Sequence, residues 1–284
     1  MIHFILSAAL TLLFAPEFEG ASVPNDGLSV RDTIAVEELP WQNIGRGAQA
    51  VSFRINLFNA PQTISVIRYP MRRFRTMVVN DPGALSDSTE ALAVRHRAVA
   101  GINGSYFDMK QLTPVTYVKE RRRVEGRTTA GEIFRTDGVM AVRGRNVSIF
   151  ACDTTDYDAR TKGYRDVIAA GPVLLKDGVP ARDEWPNKSF YYKRHPRTFV
   201  GVTADKWVYL VVIDGRFPAD AVGTTIPETV AVAQMFGLYD ALNLDGGGSS
   251  TLWTRDGGVL SNPYDNRRYD HYGQRMVPNV VLIK

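Results

Sequence analysis

Apolar and polar residues alternate at Val51, Phe53, Ile55 and Leu57, break at Asn59-Ala60-Pro61, and resume at Ile64, Val66 and Ile67. This pattern predicts a β-hairpin over residues 49–69. Met77-Val78-Val79 then runs into Asn80-Asp81-Pro82-Gly83, a turn sequence. Asp87 and Glu90 have capping-box spacing for a helix reaching about residue 97, and residues 98–102 read as the next strand. Alternating runs at 138–142 and 147–150 predict a further hairpin, and the apolar run 168–175 is closed by the turn Lys176-Asp177-Gly178. Residues 199–202 and 207–213 alternate and then become wholly apolar, as strands covered on both faces do. Thr225 and Glu228 make a second capping box, with Pro227 in the first turn, for a helix ending near Gly237, and residues 241–244 follow as a strand. Many short strands, few helices and no internal repeat predict an α+β fold. It is read as a single domain over residues 50–284, with a mixed, largely antiparallel β-sheet core and a few packed helices.

Composition changes this picture little. The 284 residues carry a formal net charge of +4 and a pI near 9.1, a weak preference for anionic ligands that, without a basic motif, does not indicate nucleic acid. Cys152 is the only cysteine, so it has no disulfide partner and no zinc-ligand spacing, and it reads as a small buried hydrophobe. Residues 2–15 form an apolar run too short to span a bilayer as a helix. It reads as the core of an export signal over 1–21, followed by an N-terminal extension over 22–49, so the protein is expected in the periplasm or at the cell surface. The n-region holds no Lys or Arg, which leaves an amphipathic N-terminal segment as the other reading.

The densest candidate chemistry follows the strand 241–244. Asn243 and Asp245 precede Gly246, Gly247 and Gly248, and Ser249, Ser250 and Thr251 come directly after. Three glycines let a backbone bend toward a ligand, successive N–H groups can form an anion-binding nest, and hydroxyls add uncharged donors. A nucleotide P-loop is excluded, because no Lys-Ser/Thr pair follows the glycines. Other polar groups stand at the ends of predicted strands: Asn103 with Gly104, Arg197 with Thr198, and Asp214 with Arg216. Convergence of strand ends is how distant segments build one site. The loop at 183–195 interleaves Trp185, Phe190, Tyr191 and Tyr192 with Lys188, Lys193 and Arg194, a composition that serves equally to stack a sugar or to pack the loop down. His195 has no visible acid-base partner and reads as peripheral.

The run Asn243-Leu244-Asp245-Gly246-Gly247-Gly248-Ser249-Ser250-Thr251 resembles the signature of the phosphodiester glycosidase family. Asn103-Gly104-Ser105-Tyr106-Phe107, Gly171-Pro172, Pro196-Arg197-Thr198, Asp214-Gly215-Arg216 and Val277-Pro278-Asn279 resemble its other elements in the same order. The resemblance implies hydrolysis of the bond between a sugar's anomeric carbon and a phosphodiester, with no cofactor. It brings Asn103, Gly104 and Tyr106 to the substrate pocket with the groups already named. Arg197, Arg216 and the glycine turn would hold the phosphate. Asp245 first, and Asp214 second, would face the cation-like sugar carbon. Asp214 could instead cap its Asp-Gly turn, Arg197 could sit in a structural ion pair, and Asp245, Asn243 and Asp214 could together hold Ca²⁺ or Mg²⁺. A glycan-binding domain that kept the pocket and lost the chemistry is the competing function.

Overall fold

The computed structural model describes residues 33–284. The export signal read over 1–21 lies outside them. The expected α+β architecture is present, and among the described residues every strand pairing is antiparallel.

An eight-stranded sheet forms the centre of the molecule. Its spatial order runs Gln42–Gly45, Ala48–Leu57, Ala60–Pro70, Trp207–Ile213, Arg197–Val202, Asp240–Asn243, Val173–Lys176 and Val179–Pro180. The predicted hairpin is its long arm, turning at Phe58 and Asn59, both at positive φ. The extension expected to run to residue 49 is corrected here. Gln42 onward pairs with the hairpin, because the Ala48–Leu57 strand otherwise presents an unpaired edge.

The wholly apolar strands lie where both faces are covered. Ile67, Tyr69, Val200, Leu210, Val212 and Leu242 point to one side, against Met140, Val142 and Ile168 of one five-stranded sheet and Ile102, Val281 and Ile283 of another. Ile64, Val66, Phe199, Tyr209, Val211 and Ile213 point to the other side, against Ile226, Val230, Ala233 and Phe236 around the helix Ile226–Met235. That helix opens with the predicted capping box: Thr225 Oγ1 accepts from the Glu228 N–H, and the Thr225 N–H donates to the Glu228 carboxylate at 2.8 Å. The other predicted cap is displaced by one residue. Ser88 caps the helix Thr89–Arg95 by accepting from Ala91, while Asp87 accepts from the Ser88 N–H, so Asp87 sits one step too early to be the cap itself. Cys152 is buried without a disulfide.

Antiparallel pairing fixes where the polar strand ends meet. Arg197 opens a strand that pairs with Ile213 on one side, and on the other Phe199 pairs with Asn243. Arg197, Asp214 and Asn243 therefore share one end of the large sheet. Asn103 ends the strand Ala100–Asn103 in the neighbouring sheet, where it pairs with Val280. Gly104 follows immediately, and a Cβ there would overlap Asn279 Oδ1 and its carbonyl. Gly104→Ala is expected to lower stability by about 1–3 kcal/mol through overpacking, read as a reduced urea midpoint at unchanged slope.

Candidate active site

A cavity of about 360 Å³ opens at this end of the sheets. Its wall brings together Tyr106, Arg197, Arg216, Asn243, Asp245, Gly246, Gly247 and Gly248 from the sequence-derived set. It also includes His195, which read as peripheral, together with Arg135, Phe190 and Arg275.

Asp245 is the carboxylate of this wall. Its backbone is fixed from both sides: the N–H donates to the Gly104 carbonyl at 3.0 Å, and the carbonyl accepts from Asn103 Nδ2 at 2.6 Å. Burial pushes its carboxyl up to about 6. Contact with Ser249, the guanidinium groups of Arg135 and Arg275, and the Gly246 N–H limit that rise. At neutral pH the carboxylate is ionised.

Four guanidinium groups line the same cavity. Arg135 lies 3.9 Å above the Tyr106 ring and pairs with Glu132 at 2.6 Å. Arg275 pairs with Asp265. Arg197 is buried and uses Nε and Nη2 to hold the carbonyls of Thr224, Phe190 and Lys193, so it fastens the 183–195 loop while it reaches the cavity wall. Its ion-pair reading is thereby corrected: its hydrogen-bond partners are carbonyls. Arg216, at φ +68°, places Nη2 at 3.4 Å from His195 Nδ1. The imidazole is held neutral, its pKa lowered to about 4 by burial and then by Arg197, Arg216 and Lys193.

Of the glycine triplet's own N–H groups, that of Gly247 donates to the Pro196 carbonyl at 2.9 Å and that of Gly246 turns to the Asp245 carboxylate. The N–H groups of Asp245, Gly247, Ser249 and Ser250 are already bonded to the carbonyls of Gly104, Pro196, Gly246 and Gly247. What the missing side chains provide is room. A Cβ on Gly246 would strike the Pro196 carbonyl, one on Gly247 would lie 3.3 Å from Arg216, and one on Gly248 would overlap the Arg275 guanidinium. Three glycines let two arginines and a crossing backbone close onto the turn that carries Asp245.

Six sequence-derived residues lie off the wall and act behind it. Asn103 is fully buried, its Oδ1 accepting from Thr198 Oγ1 and from the Thr251 N–H, both at 3.0 Å. Gly104 packs on Asn279, and Ser249 and Ser250 are buried under the turn. Asp214 is the larger correction. Its carboxylate accepts two contacts from the Asn262 N–H and one from Asn262 Nδ2 at 2.7 Å, and it anchors the 262 loop. Asp214 is not among the residues that line the cavity with Asn243 and Asp245. Tyr106 donates its hydroxyl to the Gly171 carbonyl, which also accepts from Asn243 Nδ2 at 2.8 Å, while Asn243 Oδ1 is buried without a partner. In the 183–195 loop the packing reading holds for Tyr191, buried and stacked on Trp185 at 5.6 Å, while Phe190 reaches the wall. No sequence signal marks Arg135, which lies outside every recognisable motif. Arg275 stands just before Val277-Pro278-Asn279 and could have been found from that proximity.

The profile of the phosphodiester glycosidase family matches residues 96–284, about two thirds of the chain and all of the cavity's lining. The chain belongs to the phosphodiester glycosidase family. Among curated proteins it is 28% identical over 167 residues to the SPbeta prophage-derived uncharacterized protein YomE of Bacillus subtilis (strain 168). That match covers 56% of this chain and 25% of the relative, so the chain spans about a quarter of that protein's length. Two solved structures share the fold. The catalytic domain of zebrafish N-acetylglucosamine-1-phosphodiester alpha-N-acetylglucosaminidase, auto-inhibited by its pro-peptide, superposes with TM-score 0.65 at 18% identity, covering 83% of this chain and 82% of that one. A hypothetical protein from Synechocystis superposes with TM-score 0.64 at 14% identity, covering 86% and 63%.

The raised carboxyl of Asp245 has a consequence for stability. A folded-state value near 6, above the ordinary 3.8, means that the fold favours the protonated form. The resulting stabilisation is present at low pH and lost as pH rises through 6. Asp245→Asn removes that loss. The variant is expected to gain about 2–3 kcal/mol relative to the parent between pH 4 and pH 8, measured as a melting-temperature difference that widens up to about pH 6 and then levels off.

Proposed function

We propose that this protein hydrolyses glycosyl-1-phosphodiesters, releasing the sugar from the phosphate as its family relationship suggests. The observation that carries the reading is one ionised carboxylate, Asp245, facing four arginines across a cavity large enough for a sugar phosphate. Guanidinium groups would bind the phosphodiester anion and stabilise the charge that grows on it as the bond to carbon breaks. Phosphate leaves without needing a proton, so the single carboxylate suffices. The Asp245 carboxylate would stabilise the cation-like anomeric carbon. Water supplies the oxygen that bonds to that carbon and gives up one proton to solvent, the electrons of the broken C–O bond stay on the phosphate, and the products are free sugar and a phosphate monoester.

Neutral His195, its Nδ1 turned to the donor-only Arg216, would carry its proton on Nε2 and act as a hydrogen-bond donor to the bound anion. We also propose that the protein acts outside the cytoplasm. The support is the apolar run at 2–15, and the check is its distribution in cell fractionation.

Asp245→Asn should reduce turnover of a synthetic N-acetylglucosamine-1-phosphodiester by about 10² or more while leaving phosphate-monoester binding intact. Binding without turnover in the parent protein would assign it to the glycan-binding class instead. The parent's kcat/KM should fall about tenfold per pH unit below pH 6, because the working form of Asp245 is ionised. A profile rising toward low pH would make it a proton donor. Arg216→Gln should cost about 10²-fold in kcat/KM on the diester with little change in melting temperature, since Arg216 is exposed and makes no ion pair among the described residues.

A further inference from the structure

One flank of the cavity changes from charged to apolar at its mouth. Met109 lines the cavity beside Tyr106 and Arg135, yet it is 63% exposed. Ile133 and Phe134 precede Arg135 in the short 3-10 turn Ala130–Arg135 and are 51% and 40% exposed. Phe134 meets Phe190, itself in the wall, edge to face at 6.3 Å. Met276, next to Arg275, is 50% exposed. Leu85 is 60% exposed and stands beside the Met109 loop, because the Gly83 N–H and Ser86 Oγ both donate to the Leu112 carbonyl. Single exposed apolar residues are ordinary, but Met109 lines the charged cavity beside Tyr106 and Arg135, and Phe134 meets the same wall at Phe190.

A glycosyl phosphodiester has three parts in line: sugar, phosphate and alcohol. With the sugar carbon at Asp245 and the phosphate among the guanidinium groups, the alcohol leaves through the mouth. We propose that the alcohol is an apolar chain, so that the substrate is a lipid-linked glycosyl phosphate whose hydrocarbon lies along Met109 and Phe134. The assignment of the sugar end rests on the function proposed above, whereas the apolar flank can be tested without turnover.

The binding arm compares methyl phosphate with octyl phosphate by calorimetry, below the micellar range. Octyl phosphate should bind at least about tenfold more tightly, a difference of about 1.4 kcal/mol, less than two buried methylene groups would provide. The doubly substituted Met109→Ser/Phe134→Ser protein should lose most of that preference and bind methyl phosphate as the parent does. Equal affinity for the two phosphates, or a preference unchanged in the double variant, overturns the proposal. So does a dimer in sedimentation that dissociates in the double variant, which would give the face to a second copy of the chain.

The turnover arm compares methyl and octyl diesters of N-acetylglucosamine-1-phosphate. Faster release from the octyl diester supports the proposal, and equal release overturns it. An octyl preference in binding with neither diester hydrolysed would sustain the apolar flank and remove the hydrolase reading.

Discussion

The Asn103 side chain is the point on which the site depends. One buried amide donates to the carbonyl of Asp245 and accepts from the hydroxyl of Thr198 and the N–H of Thr251. Thr198 belongs to the eight-stranded sheet and Asn103 to a five-stranded one, so this amide ties two sheets and the glycine turn together. Its place cannot be taken by an apolar residue without leaving a buried hydroxyl and two main-chain groups unpaired, each costing about 1–3 kcal/mol. With the amide in place, the turn carrying Asp245 is held at both its N–H and its carbonyl, and the carboxylate has a fixed direction.

Charge then accumulates around that fixed carboxylate. Arg135 and Arg275 bring their own acids, Glu132 and Asp265, which lowers the cost of crowding like charges. Arg197 and Arg216 form no such pair among the described residues, and after burial they further depress the basicity of His195. The cavity is therefore cationic before a ligand arrives, and an anion entering it relieves repulsion as well as forming hydrogen bonds. Burial works the other way on Asp245, raising its pKa to about 6 against the pull of the arginines, because desolvation of a single charge outweighs partners that are already paired. The site is thus built at some cost to stability, as functional constellations commonly are.

Much of the fold was legible because its rules are local. The long hairpin, the capping box at Thr225 and Glu228, and the doubly covered strands at 199–202 and 207–213 follow from side-chain period and turn chemistry, and each is present. The Asp87 cap failed by one residue because Ser and Asp both bond nearby N–H groups, and only backbone direction decides between them. The first strand, Gln42–Gly45, carries almost no apolar pattern; it is an exposed edge, and its partner rather than its composition makes it a strand.

The sequence by itself determined the long apolar strands and that acids, amides and arginines collect at their ends, since both facts are written in residue order. It also marked Asp245, through the unusual cost of three consecutive glycines, whose reason proved to be the room they leave for Arg216 and Arg275. Tertiary structure alone decided which polar ends face the cavity. Asp214 and Asp245 look alike in sequence, each an acid before glycine at the end of an apolar strand, yet one is consumed by Asn262 and the other meets four guanidinium groups. That difference depends on which loop crosses each strand end. Arg135 reaches the site from a segment that shares no pattern with it, and only tertiary packing brings it there.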